Sequence, residues 1–310
     1  MKSLLAVFVV AFAVVPSDAG HKVILQGKDR LVILDEVGKV AWEKKWGGIH
    51  DIHVLENGHI MVQKMPNKIV EIDPKSGDVV WEYDASKMNG NKGRKIEVHA
   101  FQPLKDGKLM IAESGSSRII EINRDGKLLK EIKLVVNKPH PHMDTRLARK
   151  LGNGNYLVCH EGDGAVREYN SEGHLVWDFP VPMFGKKAKG GHGPESFGNK
   201  CFSAVRLRNG HTLIATGNGH SVIEVDHQKQ VVWKVTQDEL PGIRLAWVTT
   251  LEVLPSGNYV IGNCHAGPGQ PLLVEIEPKT KKVVWKLDRF DDFGNSVSNS
   301  QILGKKPSLR

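Results

Sequence analysis

The sequence predicts an all-β chain: a six-bladed β-propeller with four antiparallel strands per blade, its first blade closed by the C-terminal strand. Three observations predict it. Leucines at positions 55, 104, 151, 207 and 254 recur every 47–56 residues, a period that marks propeller blades. Each unit carries turn dipeptides that favour positive φ, at Asn57-Gly58, Asp106-Gly107, Asn153-Gly154, Asn209-Gly210 and Ser256-Gly257. Each unit also carries short apolar runs of strand length.

The elements follow in order. Strand A ends at the turn dipeptide, and strand B is a run such as Tyr156-Leu157-Val158. Strand C carries an equivalent glutamate at Glu71, Glu121, Glu168, Glu224 and Glu275. Strand D ends in Val-Trp at Trp81, Trp177, Trp233 and Trp285, with Lys130 breaking the series. A tryptophan repeated at one strand position points to packing between blades. At the ends, Lys22 to Gln26, Leu31 to Asp35 and Val40 to Lys45 supply strands B, C and D, with Trp42 in the repeated place. Their strand A is Val297 to Leu303, which removes an exposed sheet edge.

Residues 1–19 read as an export signal: Lys2, an apolar stretch from Leu4 to Val15, and Ser17-Asp18-Ala19 before Gly20. The stretch is shorter than the roughly 20 residues a spanning helix needs. An exported protein (periplasmic or extracellular) with one propeller over 20–310 and no membrane span is expected. The formal net charge of +8 comes with no basic helix face and no RNA-reading strand motif, so nucleic acid is not expected as a partner. Cys159, Cys201 and Cys264 are too few for a disulfide framework. Export leaves open either three buried thiols or one bridge and one thiol.

In a propeller the D-to-A and B-to-C connections emerge on one face. Counting back from the first turn places His50, His99, Arg146, Phe202, Thr249 and Ser298 at that mouth. Counting on from the turn glycine adds Lys64, Glu113, His160, Thr216, Asn263 and Gln26. Unlike the structural leucines and tryptophans, these positions differ from blade to blade, as a built site would. His53, His140, His142, His192, His220 and His265 are assigned to the same face or its loops. Insertions at 85–96, 137–145 and 182–200 lie there too, carrying the basic runs Lys92 to Lys95 and Lys186 to Lys189. Cations around a concave mouth attract anions, so the expected partner is an anionic small molecule, glycan or peptide. Its ligand-binding residues would be Lys64, Glu113, His142, Thr249, Asn263 and His265. A metal site built from His50, His99, His160 and Glu113 is a further alternative, since those are acceptable ligand types.

Asp73-Pro-Lys-Ser-Gly-Asp-Val-Val-Trp81 and its copies resemble the repeat of PQQ-type quinoproteins. His50-Asp-Ile-His-Val-Leu-Glu-Asn-Gly58 resembles stretches of bacterial arylsulfotransferase propellers, as does His211 to Asp226. The first resemblance implies the repeat's packing but no bound PQQ, because no Cys-Cys pair or calcium-ligand cluster accompanies it; no cofactor is expected. The second implies sulfuryl transfer between phenols through a sulfated histidine. His50, His99 or His160 would be the nucleophile, Arg146 the grip on the tetrahedral anion, and Lys64 and Asn263 its helpers.

Overall fold

A computed structural model describes residues 20–304 and 306–310; the export-signal reading lies outside them. Among the described residues six four-stranded antiparallel sheets form in the expected order, A-B-C-D within each blade. The first blade is the composite one. Its A strand, Ser300–Ile302, pairs with Val23–Gly27 in the register Val23 to Ile302 and Leu25 to Ser300. That strand is shorter than the expected 297–303. The inner strands of blades 2 and 4, Ile52–Val54 and Ala148–Lys150, are equally short.

Burial follows the radial order. The B strands Ile60–Lys64, Leu109–Ser114 and Tyr156–His160 are almost wholly buried, because both faces meet neighbouring blades. The D strand Val79–Asp84 is the outer edge and alternates, with Val79 and Val80 exposed and Tyr83 buried.

Six apolar clusters sit between blades, each shared by successive neighbours. Blade 1 meets blade 2 through Ile24, Leu31, Ile52, Ile60 and Val70. The ring closes where Leu254, Val260 and Leu273 of blade 6 pack on Val23, Leu25 and Ile302 of blade 1. Each fully buried Leu, Ile or Val stabilises by about 1.5–3 kcal/mol, so these seams hold the ring together.

The repeated tryptophans work at the seams, as expected. Trp42 Nε1 donates to Pro74 O at 2.9 Å, Trp81 Nε1 to Arg124 O at 2.7 Å, and Trp233 Nε1 to Pro278 O at 2.9 Å. Each thereby ties its blade to a C–D turn of the next. The strand-C glutamates form a second series of ties. Glu121 accepts from Lys150 Nζ and Tyr156 Oη, both at 2.5 Å, across the seam between blades 3 and 4. Glu168 accepts from Asn155 in its own blade at 2.6 Å and from Arg206 of blade 5 at 2.5 Å. Glu275 joins Asn258 at 2.7 Å to His21 at 2.5 Å. A side chain that recurs with this regularity and links blades explains its own repetition.

The three cysteines are all buried, unbridged thiols.

Candidate functional site

The D-to-A and B-to-C connections do share one end of the ring. A cavity of about 690 Å³ opens there, lined by Lys45 to His50, Gln63 to Pro66, Glu97, His99, His142, Cys264, His265, Ser296 and Ser298. These residues come from blades 1, 2, 3 and 6 and the 3-to-4 connection. His50 is fixed by its backbone: its N–H donates to Gln63 Oε1 at 2.7 Å, and its carbonyl accepts from Asn299 Nδ2 at 2.7 Å.

Three imidazoles crowd together. The His50 ring lies 4.6 Å from that of His99 and 5.9 Å from that of His142, and the last two are 5.1 Å apart. Glu97, which the ring-counting did not select, completes the group. Its Oε2 is 3.1 Å from His99 Nε2 and 2.7 Å from His142 Nδ1. The signal for it was present as Glu97-Val98-His99, two side chains on one side of a strand. Arg146 is buried behind the group, paired through Nε with Glu161 and set over the Phe202 ring at 5.5 Å. Phe202 in turn lies 6.2 Å from His50.

Burial governs the charges. It pushes His50 well below the usual imidazole value, with His99, Arg146 and His142 adding to the effect. His99 is lowered to about 4, first by burial and then by Arg146. His265 is also lowered to about 4, by burial and by His192. The Glu97 carboxyl is lowered to about 2 by its hydrogen bond to His99, with His142 assisting against burial. At neutral pH the lowered imidazoles are uncharged, so positive charge at the cavity wall resides on Lys45 and Lys64, with Lys95 beside Glu97 and Arg146 behind, paired with Glu161. His50 Nδ1, His265 Nδ1 and Arg146 Nη1 are buried polar atoms with no hydrogen-bond partner among the described residues.

Of the residues expected at one mouth, the fold brings His50, His99, His142, Lys64, His265 and Ser298 to the cavity, with Arg146 behind. Others go elsewhere. His160 is fully buried, with Nδ1 bonded to Asp144 O at 2.7 Å and Nε2 to Tyr169 Oη at 3.0 Å. Glu113 is buried against Arg118, 2.7 Å from its Nε. Asn263 spends its amide on the backbone, accepting from Ala246 N at 2.7 Å and donating to Pro271 O at 3.1 Å. These three residues have structural partners, and a four-residue metal set of His50, His99, His160 and Glu113 does not assemble. Thr249 is buried at the strand irregularity between Val248 and Leu251, its hydroxyl unpartnered.

His53 is a correction of another kind. It lines a larger cavity, about 1230 Å³, formed by the A–B turns at the opposite end, and bonds Phe101 O at 2.7 Å. Neither basic run lines the mouth cavity; only Lys95 comes near, 3.6 Å from Glu97 Oε1. Sequence counting also passed over a buried ionic knot near the axis. Arg149 grips Asp51 through both oxygens at 2.8 and 2.9 Å, while Arg310 donates to Ile52 O and Ser300 O.

Known proteins share this architecture. A solved structure from Bacteroides caccae, described as a protein of unknown function, is 23% identical, with a TM-score of 0.73 over 91% of this chain and 98% of its own. A streptogramin B lyase structure is 13% identical, with a TM-score of 0.56 over 89% of this chain and 85% of its own. A virginiamycin B lyase from Staphylococcus aureus with quinupristin is also 13% identical, with a TM-score of 0.55 over 89% and 86%. At such identities the likeness is one of fold. No curated protein matches the chain. The PQQ_2 family, described as outer membrane protein assembly factor BamB, matches residues 27–287, from the first blade's B strand to the last blade's D strand, and the chain belongs to that family.

Proposed function

We propose that this protein is an exported binding propeller whose mouth cavity holds an anionic small molecule, or the anionic end of a glycan or peptide. One observation carries the reading: the 690 Å³ cavity, within the size range of small-molecule sites, has unpartnered buried polar atoms on His50 and His265 and cations at Lys45 and Lys64. Membership of a family described as an assembly factor supports a holding role over a chemical one. Export rests on the apolar N-terminal stretch; no helix among the described residues is long and apolar enough to cross a membrane.

The test is calorimetry with phenyl sulfate and benzoate, each in the presence of EDTA. The expected result is saturable binding that Lys64→Ala weakens several-fold and Lys75→Ala, in an exposed C–D turn, leaves alone. Absence of binding of either probe at millimolar concentration overturns the reading.

A second, catalytic reading is favoured by the uncharged His50 with its free Nδ1 beside Arg146. In it the imidazole attacks the sulfur of an aryl sulfate and the S–O bond to the phenol breaks. The departing phenolate takes a proton from water, and a second phenol, giving its proton to water, then takes the sulfuryl group as the N–S bond breaks. Mass spectrometry after incubation with an aryl sulfate would show sulfated His50; no turnover of any aryl sulfate rejects this reading.

A further inference from the structure

We propose that Glu97, His99 and His142 form a binding site for a divalent transition metal, zinc above all, with an open coordination position facing the mouth cavity. The ligand atoms of the three residues all lie within 4.8 Å of one another. Two imidazoles and a carboxylate are the donor set of metal centres that keep a position free for water or a ligand.

The orientation of His99 is the strongest support. Its Nδ1 sits 2.9 Å from Thr145 O. A carbonyl only accepts, so Nδ1 carries a proton, and Nε2 faces Glu97 Oε2 at 3.1 Å, where it holds a proton in the metal-free protein or gives its lone pair to a metal. Two acceptors at that separation repel unless a proton or a cation stands between them. An imidazole that donates its other N–H to a backbone carbonyl is also the arrangement that fixes a metal-ligating histidine.

The third ligand is held in place by its loop. Asp144 Oδ2 accepts from Gly115 N at 2.9 Å and Ser117 Oγ at 3.0 Å, and Asp144 Oδ1 from His140 N at 2.5 Å. At the loop's start, Asp163 accepts from Asn137 N and Lys138 N at 2.9 Å. The segment carrying His142 is therefore anchored on both sides of that residue. Donors about 2.0–2.2 Å from a tetrahedral ion stand roughly 3.3–3.5 Å apart, so to take one the widest pair of the group, within 4.8 Å, closes by about 1 Å and the 2.7 Å pair of Glu97 and His142 opens. His50, its Nδ1 unpartnered, stands as a wall beside the open side.

The site goes beyond anion binding and stands or falls separately from it. Full chain without an affinity tag is stripped with EDTA, dialysed, and titrated with zinc chloride by calorimetry and with cobalt(II) by visible absorption. The expected result is one metal per chain and the visible bands of a cobalt centre with nitrogen and oxygen donors. Removing a ligand should weaken zinc at least as much as losing a second-shell partner does, about 10–100-fold, in both His142→Ala and Glu97→Gln. His142→Ala alters a half-exposed loop residue and should fold even if a buried change at His99 does not. His265→Ala, in the same cavity, should bind zinc as the unaltered chain does. Zinc uptake well below one per chain, or unchanged affinity in both ligand variants, overturns the proposal. Zinc binding without phenyl sulfate or benzoate binding would leave this site standing and the anion reading fallen.

Discussion

Breaking the knot at the propeller axis should cost more than any surface change, and the deficit should shrink as pH falls. Asp51 and Arg149 are both buried and joined by two bonds of 2.8 and 2.9 Å. Asp51 also accepts from Phe101 N at 3.0 Å and from Asn299 Nδ2 at 3.3 Å, so one carboxylate links the inner strands of four blades. Burial pushes its carboxyl up, but Arg149 and then His53 outweigh burial and hold it far below the usual carboxylate range; Arg310 also faces it. Arg149→Leu leaves a buried carboxylate without its partner, a loss of about 3–5 kcal/mol. At about 0.6 kcal/mol per degree for a chain of this size, melting should fall by roughly 5–8 °C.

In the native chain the depressed value contributes stability above the unfolded carboxyl value, and that stability is lost as pH falls. In Arg149→Leu the sign reverses. The unpaired carboxyl then titrates above its unfolded value, so the variant's deficit should shrink between neutral pH and about pH 4. Asp51→Asn combined with Arg149→Leu should recover about half of the loss, because the carboxylate that lost its partner is then gone. Scanning calorimetry across that pH range is the assay. A deficit under about 1 kcal/mol, or one that grows toward acid, would refute the reasoning.

Two further outcomes are expected. Gly115→Ala places a Cβ at φ +90 and 2.2 Å from Lys95 O, so the strand leading into Glu97 must shift; both melting temperature and zinc affinity should fall, read by calorimetry. Glu121→Ala removes the 2.5 Å bonds to Lys150 and Tyr156 and should cost about 1–3 kcal/mol at neutral pH. Burial raises the Glu121 carboxyl, but those two partners outweigh it and lower it. Its contribution is thus present above about pH 4.3 and fades below that, where denaturant melts of variant and parent should converge.

The architecture was legible because packing repeats. Trp42, Trp81, Trp177, Trp233 and Trp285 recur since each meets the same kind of seam, and the spacing of Leu254 from the C-terminal strand revealed how the ring closes. The mouth was legible as an end of the ring but not as a set of side chains. Counting gives a residue's height along a strand, not the direction its side chain takes. A bulge between Val98 and Ala100 sets the course of the strand at His99, and no sequence signal announces it. His160 and Asn263 sit at equivalent heights yet turn to structural partners. His142 reaches the group only because Asp144, bonded to Gly115 and Ser117, and Asp163 anchor its loop, and the Asp51–Arg149 pairing depends on registers between blades. Glu97 was readable from Glu-x-His, but only after His99 was known to face the cavity.

The most direct test of a site assembled from separate blades is anomalous diffraction at the zinc edge from crystals grown with zinc. A single strong peak bounded by Glu97, His99 and His142, with the His50 ring alongside, is expected. Ordered crystals with no peak there, or with these side chains apart, would contradict it.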